Sequence, residues 1–200
     1  MAAALVAAVL VMPGAALAAE WQFLLGGWTA HERGSEPAVQ GLPVGTSRWV
    51  DGTGGCPAGR CGWNERHDAL IAIYRPNDSR WGVAGGMMRD SFAYRGPVAG
   101  ITYTVGTYQR DDLRVRLDGV VGAHYRQTTW RAEDVHLEGN TARVNAWSRE
   151  TQWTPLAMPA LTVDYRGVGF TGFAIPPLRT SGWDIPGVVG VFLSVSLGGD

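Results

Sequence analysis

From Val98 onward, apolar and small or polar positions take turns. Ala99, Ile101, Tyr103 and Val105 alternate with Val98, Gly100, Thr102, Thr104 and Gly106. Successive side chains of a strand point to opposite faces, so this period of two predicts a strand. The next stretch is stronger. Leu113, Val115, Leu117, Gly119, Val121, Ala123 and Tyr125 alternate with Arg114, Arg116, Asp118, Val120, Gly122 and His124. Further on, Leu161, Val163 and Tyr165 enclose Thr162 and Asp164, and Val189, Val191, Leu193, Val195 and Leu197 enclose Gly190, Phe192, Ser194 and Ser196. Eight strands are predicted, at 22–31, 67–75, 81–90, 97–109, 113–125, 156–165, 167–175 and 187–197. The third runs without a charge from Trp81 to Met88 and stops at Arg89-Asp90-Ser91. A reversal at 93–96 follows, and Pro97 opens the fourth strand, a place where its missing N–H costs no ladder bond.

A soluble sandwich also shows period two, with its apolar face turned inward. Here the apolar face is bulky and continuous, while the other carries both glycines and charges. That is the pattern of an outer-membrane β-barrel, with lipid outside and a small polar lumen inside. An even strand number and lengths near ten residues suit a closed transmembrane ring. Past residue 19 no run of ~20 apolar residues occurs, which excludes a helical span. Connections after odd strands are long at 32–66, 126–155 and 176–186 (91–96 is the short one), and those after even strands are short. Within 126–155, Arg131 to Trp147 suits a short hairpin of its own. Odd strands therefore run outward, and both termini are periplasmic. His31, Asp90, Ser91 and Arg126 then share the outer rim, while Arg114, Arg116 and Asp118 form a charged floor. Such a lumen suits one hydrocarbon chain better than an aqueous pore.

The remaining features refine this picture. Residues 1–19 are apolar, broken at Pro13-Gly14, and carry Ala16-Leu17-Ala18 before a cleavage point, so they read as a signal peptide preceding one domain at 20–200. A net charge of −1 offers nothing to nucleic acid. Cys56 and Cys61 enclose a Gly-rich loop, which in an exported chain reads as a disulfide. With His67 they would make an incomplete metal set, and neither metal nor cofactor is expected. His67 and His136 read as solvated, and His124 as inward-facing near Arg126. Trp63, Trp81, Trp130, Trp147 and Trp153 lie near strand ends, where an interfacial belt needs them. Asp90-Ser91 also suits ordinary turn chemistry.

Ordered motifs add a resemblance. Trp28-Thr29-Ala30-His31, Trp63-Asn64-Glu65-Arg66, Arg89-Asp90-Ser91-Phe92 with Pro97-Val98-Ala99-Gly100, Leu156 with Pro159, and Tyr165 to Phe170 with Ile175-Pro176 occur in sequence over about residues 24–192. Together they resemble the lipid A palmitoyltransferase (PagP) family of eight-stranded outer-membrane barrels. The resemblance implies an enzyme of the Gram-negative outer membrane, acting as a monomer. It would move an acyl chain from a phospholipid donor to the lipid A of lipopolysaccharide. His31, Asp90 and Ser91 would be catalytic, with His31 as base, Asp90 orienting it, and Ser91 as nucleophile or oxyanion donor. Arg126 would contact phosphate. Met88, Gly100 and Thr102 would line the acyl pocket, with Thr102 where palmitate-selective members carry a glycine. Two other classes fit the pattern: a non-enzymatic structural barrel, and a soluble exported lipocalin-like lipid binder.

Overall fold

Twelve strands follow one another, and no helix occurs among the described residues. They are β1 (Ala19–His31), β2 (Val39–Gln40), β3 (Arg48–Asp51), β4 (Arg66–Pro76), β5 (Trp81–Arg89), β6 (Arg95–Arg110), β7 (Leu113–Glu138), β8 (Thr141–Tyr165), β9 (Val168–Ile175), β10 (Leu178–Thr180), β11 (Trp183–Ile185) and β12 (Val188–Leu197). The computed structural model describes residues 19–32, 39–44, 48–51, 63–77, 79–180, 183–185 and 187–198. The leader up to residue 18 and the Cys56–Cys61 loop lie outside the described residues.

Eight of these strands form one antiparallel ring in the order β1-β4-β5-β6-β7-β8-β9-β12, closed by pairing of β12 with β1. All eight predicted strands are present, within a few residues of the expected bounds at the lower end. The ends of the ring differ. At the lower end, chain reversals at Asp111 and Arg166 are tight and use positive φ. Ala19 and Leu197 also lie there. At the upper end β7 and β8 continue past the ring as one long hairpin, paired from Arg126↔Gln152 to Glu138↔Thr141. The sequence reading expected a long loop at 126–155 with a short hairpin at Arg131 to Trp147; the hairpin is present, but it is longer and continues the two ring strands directly. The projecting strands find neighbours in β2, parallel to β7, and β3, parallel to β8. Trp130, Ala132, Ala142 and Val144 are buried on the projection.

Alternation decides what each face buries. On β7, Arg116, Asp118 and His124 are buried inside the ring, whereas Leu113, Leu117 and Val121 are exposed outside it. On β8, Thr162 and Asp164 are buried and Leu161, Val163 and Tyr165 are exposed. The lower interior is therefore polar where a soluble protein would be apolar. Buried charge needs partners, and the lower interior supplies them as a plug. Arg75 donates to Asp118 and Gln22, Arg116 to Asp118, Gln22 and Glu20, and Arg114 pairs with Glu20 and Asp164. Thr104 donates to the second oxygen of Asp118.

One seam of the ring is incomplete. The β8–β9 ladder stops at Ala160↔Phe173. Above it, Pro155 and Pro159 of β8 have no N–H to offer, and Pro176-Pro177 follow β9 directly.

Candidate functional site

Above the plug lies a cavity of about 600 Å³, walled mainly by Leu24, Ile71, Ile73, Val98, Phe173 and Phe192. Met88 and Gly100 line its wall, and Thr102 closes it beside Gln22 and Asp118. A separate polar cavity of about 550 Å³ opens at the lower end and shares no lining residue with it. The plug divides the two, so the interior is a blind pocket rather than a through-channel.

The mouth of the pocket is polar. His31 ends β1, Ser91 follows β5, and the ring closes them onto each other: His31 Nε2 lies 2.9 Å from Ser91 Oγ. A β-bulge between Leu25 and Gly27, with Gly26 at φ 43°, makes this possible. Gln22 and Leu24 face inward at even positions. After the bulge the inward positions are odd, Thr29 and His31, and Trp28 faces out. Without the extra residue a regular period would send His31 to the outer face. The His31 ring stacks on Trp63 at 4.4 Å and 11°, and Trp63 meets Phe92 edge-on. His31 Nδ1 is buried and has no partner among the described residues.

Asp90 has a different occupation from the one expected. Its Oδ1 accepts the N–H groups of Phe92 and Tyr94, both at 2.8 Å, and its Oδ2 accepts the N–H of Gln127 at 2.7 Å. The carboxylate closes the turn that carries Ser91 and fastens it to β7, and among the described residues it makes no hydrogen bond to His31. Burial raises its pKa above the ordinary carboxylate value, against the opposite pull of the Tyr94, Gln127 and Phe92 N–H groups and of Arg126. Asn64 braces the same turn: its side chain donates to the Asp90 carbonyl and its N–H to the Ser91 carbonyl. Arg126 lines the mouth, donates only to the Gln127 carbonyl, and has no carboxylate partner among the described residues. It is a guanidinium available to an anion. His124 Nε2 and Thr154 Oγ1 are also buried at the cavity lining without partners among the described residues.

Three readings from sequence are corrected. His67, read as solvated, is only 5% exposed and bonds Thr29 and the Arg89 carbonyl. Its flanks Arg66 and Asp68 look solvated, but parity was the better guide, since His67 shares its inward face with Ile71 and Ile73. Trp63 belongs to the site rather than to an interfacial belt. Trp130 is buried under the Arg149 guanidinium, 5.1 Å from its ring centre. His136 is exposed beside Asp134, as expected.

The arrangement can hold one hydrocarbon chain below a histidine–serine pair and an arginine that has no salt bridge among the described residues. No protein-family model matches the chain, and no curated protein sequence matches it.

Proposed function

We propose that the chain is an outer-membrane acyltransferase that moves a fatty acyl chain from a phospholipid to lipid A, in the manner of the palmitoyltransferase family it resembles. The observation that carries this reading is the His31–Ser91 contact at the mouth of a blind apolar pocket. Its volume falls within the ~300–1,000 Å³ usual for small-ligand sites. A fatty chain in the pocket would place its ester at the polar mouth. Attack on the ester carbonyl forms the new C–O bond, and the glycerol oxygen leaves with the electrons of the broken one. His31 takes the proton from the attacking hydroxyl and returns it to the leaving oxygen. Arg126 fits the donor or acceptor phosphate. The incomplete seam between β8 and β9 offers the chain sideways access from a surrounding bilayer.

The outward face supports membrane residence. Ile101, Val121, Leu161, Phe170 and Leu193 are all exposed. A soluble binder would present this surface to water, which disfavours that class.

The test is mass spectrometry of lipid A from Gram-negative cells that express the chain. Wild type should add one acyl group. His31→Ala and Ser91→Ala should lose transfer by roughly 10²–10⁴-fold while keeping heat-modifiable migration. Unchanged lipid A with correctly inserted wild type would leave a structural barrel. Recovery of the mature chain in the soluble periplasmic fraction would leave a lipid binder.

A further inference from the structure

His67 sits at the upper end of β4, between the two strands that carry the His31–Ser91 pair. Its Nδ1 lies 2.5 Å from the Arg89 carbonyl oxygen. A carbonyl only accepts, so Nδ1 carries the proton, and Nε2 is the acceptor for the Thr29 hydroxyl at 2.7 Å. Thr29 shares the inward face of β1 with His31, two residues away. Arg89 directly precedes Asp90-Ser91. Both ring nitrogens are therefore used, one on each side of the site, and neither is left for a substrate. The segment just before His67 reaches the same places, since Trp63 stacks on His31 and Asn64 holds the carbonyls of Asp90 and Ser91.

We propose that His67 is a positioning residue, a buried imidazole that ties the Thr29–His31 segment to the Arg89–Ser91 turn and so sets the His31–Ser91 distance. This rests on the acyl-transfer reading for its kinetic consequence, though not for its geometric one. A displacement of about 1 Å at reacting groups costs roughly 10²-fold in rate, so the tether acts on turnover rather than on donor binding, which the pocket wall provides.

The experiment compares wild type, Thr29→Val, His67→Phe, the double variant and His136→Ala as an exposed control, each refolded in detergent and checked for heat-modifiable migration. With graded phospholipid donors, kcat should fall about 10²-fold in Thr29→Val and His67→Phe while KM stays within twofold. The double variant should be no worse than His67→Phe, because both changes remove one linkage. The ¹⁵N resonances of the His31 ring should move in both single variants and stay unchanged in His136→Ala. Thr29→Val keeps the side-chain shape, so it carries the test if His67→Phe does not fold. Wild-type kcat and unmoved His31 resonances in a folded tether variant would overturn the proposal. If wild type transfers no acyl chain but the His31 resonances still move, the tether stands and the acyl-transfer reading alone falls.

Discussion

Thr102 stands where the apolar wall meets the charged plug. It is almost wholly buried, and its Oγ1 has no hydrogen-bond partner among the described residues. Gly82 opposite it has no room for a side chain, since a Cβ there would lie 2.7 Å from that oxygen. From Arg95 at the rim to Thr102 the strand runs about 23 Å at ~3.3 Å per residue, or about 18 Å along the axis at a ~40° tilt, which bounds the depth open to a chain. A buried methylene is worth roughly 0.8 kcal/mol, enough for a floor residue to select chain length. The preferred acyl chain is expected to be about two to four carbons shorter than palmitoyl, and Thr102→Gly should lengthen it. Donors of graded length decide this, and an unchanged optimum removes Thr102 as the floor. Asp90 carries a second lesson at this scale. Turn chemistry and site chemistry are one feature here, because the carboxylate that closes the turn also aims Ser91 at His31.

Among the elements, β1 matters most, because its bulge decides which face His31 occupies. Gly26 holds a left-handed φ, and a Cβ there would make only an ordinary contact with the His67 carbonyl, 3.6 Å away, while a Cβ on Gly27 would strike the Phe192 ring and the Val191 carbonyl. A β-branched residue at Gly26 must pay roughly 1–2 kcal/mol for that backbone conformation. Gly26→Val is therefore expected to lower stability by about that amount and to reduce transfer further, as β1 escapes the strain by losing the bulge. Urea midpoints in detergent and turnover measured together check this. A loss of stability with wild-type turnover would mean that the bulge does not set the site.

On the scale of the whole molecule, the ring is apolar outside, and within it a charged plug lies below an apolar pocket. Trp28 and Trp153 are exposed near the upper end, and Trp81, Tyr108 and Tyr165 near the lower. Along β8, Trp153 and Tyr165 are twelve residues apart, about 40 Å of strand, or about 30 Å along the axis at a ~40° tilt. That separation matches a hydrocarbon core bounded by two aromatic belts. Val121 is 57% exposed between them. Val121→Lys is expected to destabilise the folded protein in lipid by roughly 2–4 kcal/mol. Reversible urea unfolding in vesicles measures it, and a cost near zero would place Val121 outside the hydrocarbon.

Much of this was legible in the residues themselves, because alternation is local. The inward set Arg114, Arg116 and Asp118 and the outward set Leu113, Leu117 and Val121 follow from period two alone, and with them the eight strands and the charged floor. At 126–155 a short hairpin was legible, but not that it continues β7 and β8 without a break. Beyond the ring, β7 and β8 have no uniformly apolar outer face to impose alternation, and the bulge between Gln127 and Thr129 interrupts the period. Nor could the residues announce that His67 joins Thr29 to Arg89, or that Asp90 spends its oxygens on three backbone N–H groups. The His67 contacts and the Gln127 N–H to Asp90 join different strands and exist only once those strands pair, whereas the Phe92 and Tyr94 N–H groups lie in the Asp90 turn itself. Alternation belongs to each strand separately, whereas the meeting of His31 with Ser91 depends on register and closure, which only the assembled ring supplies.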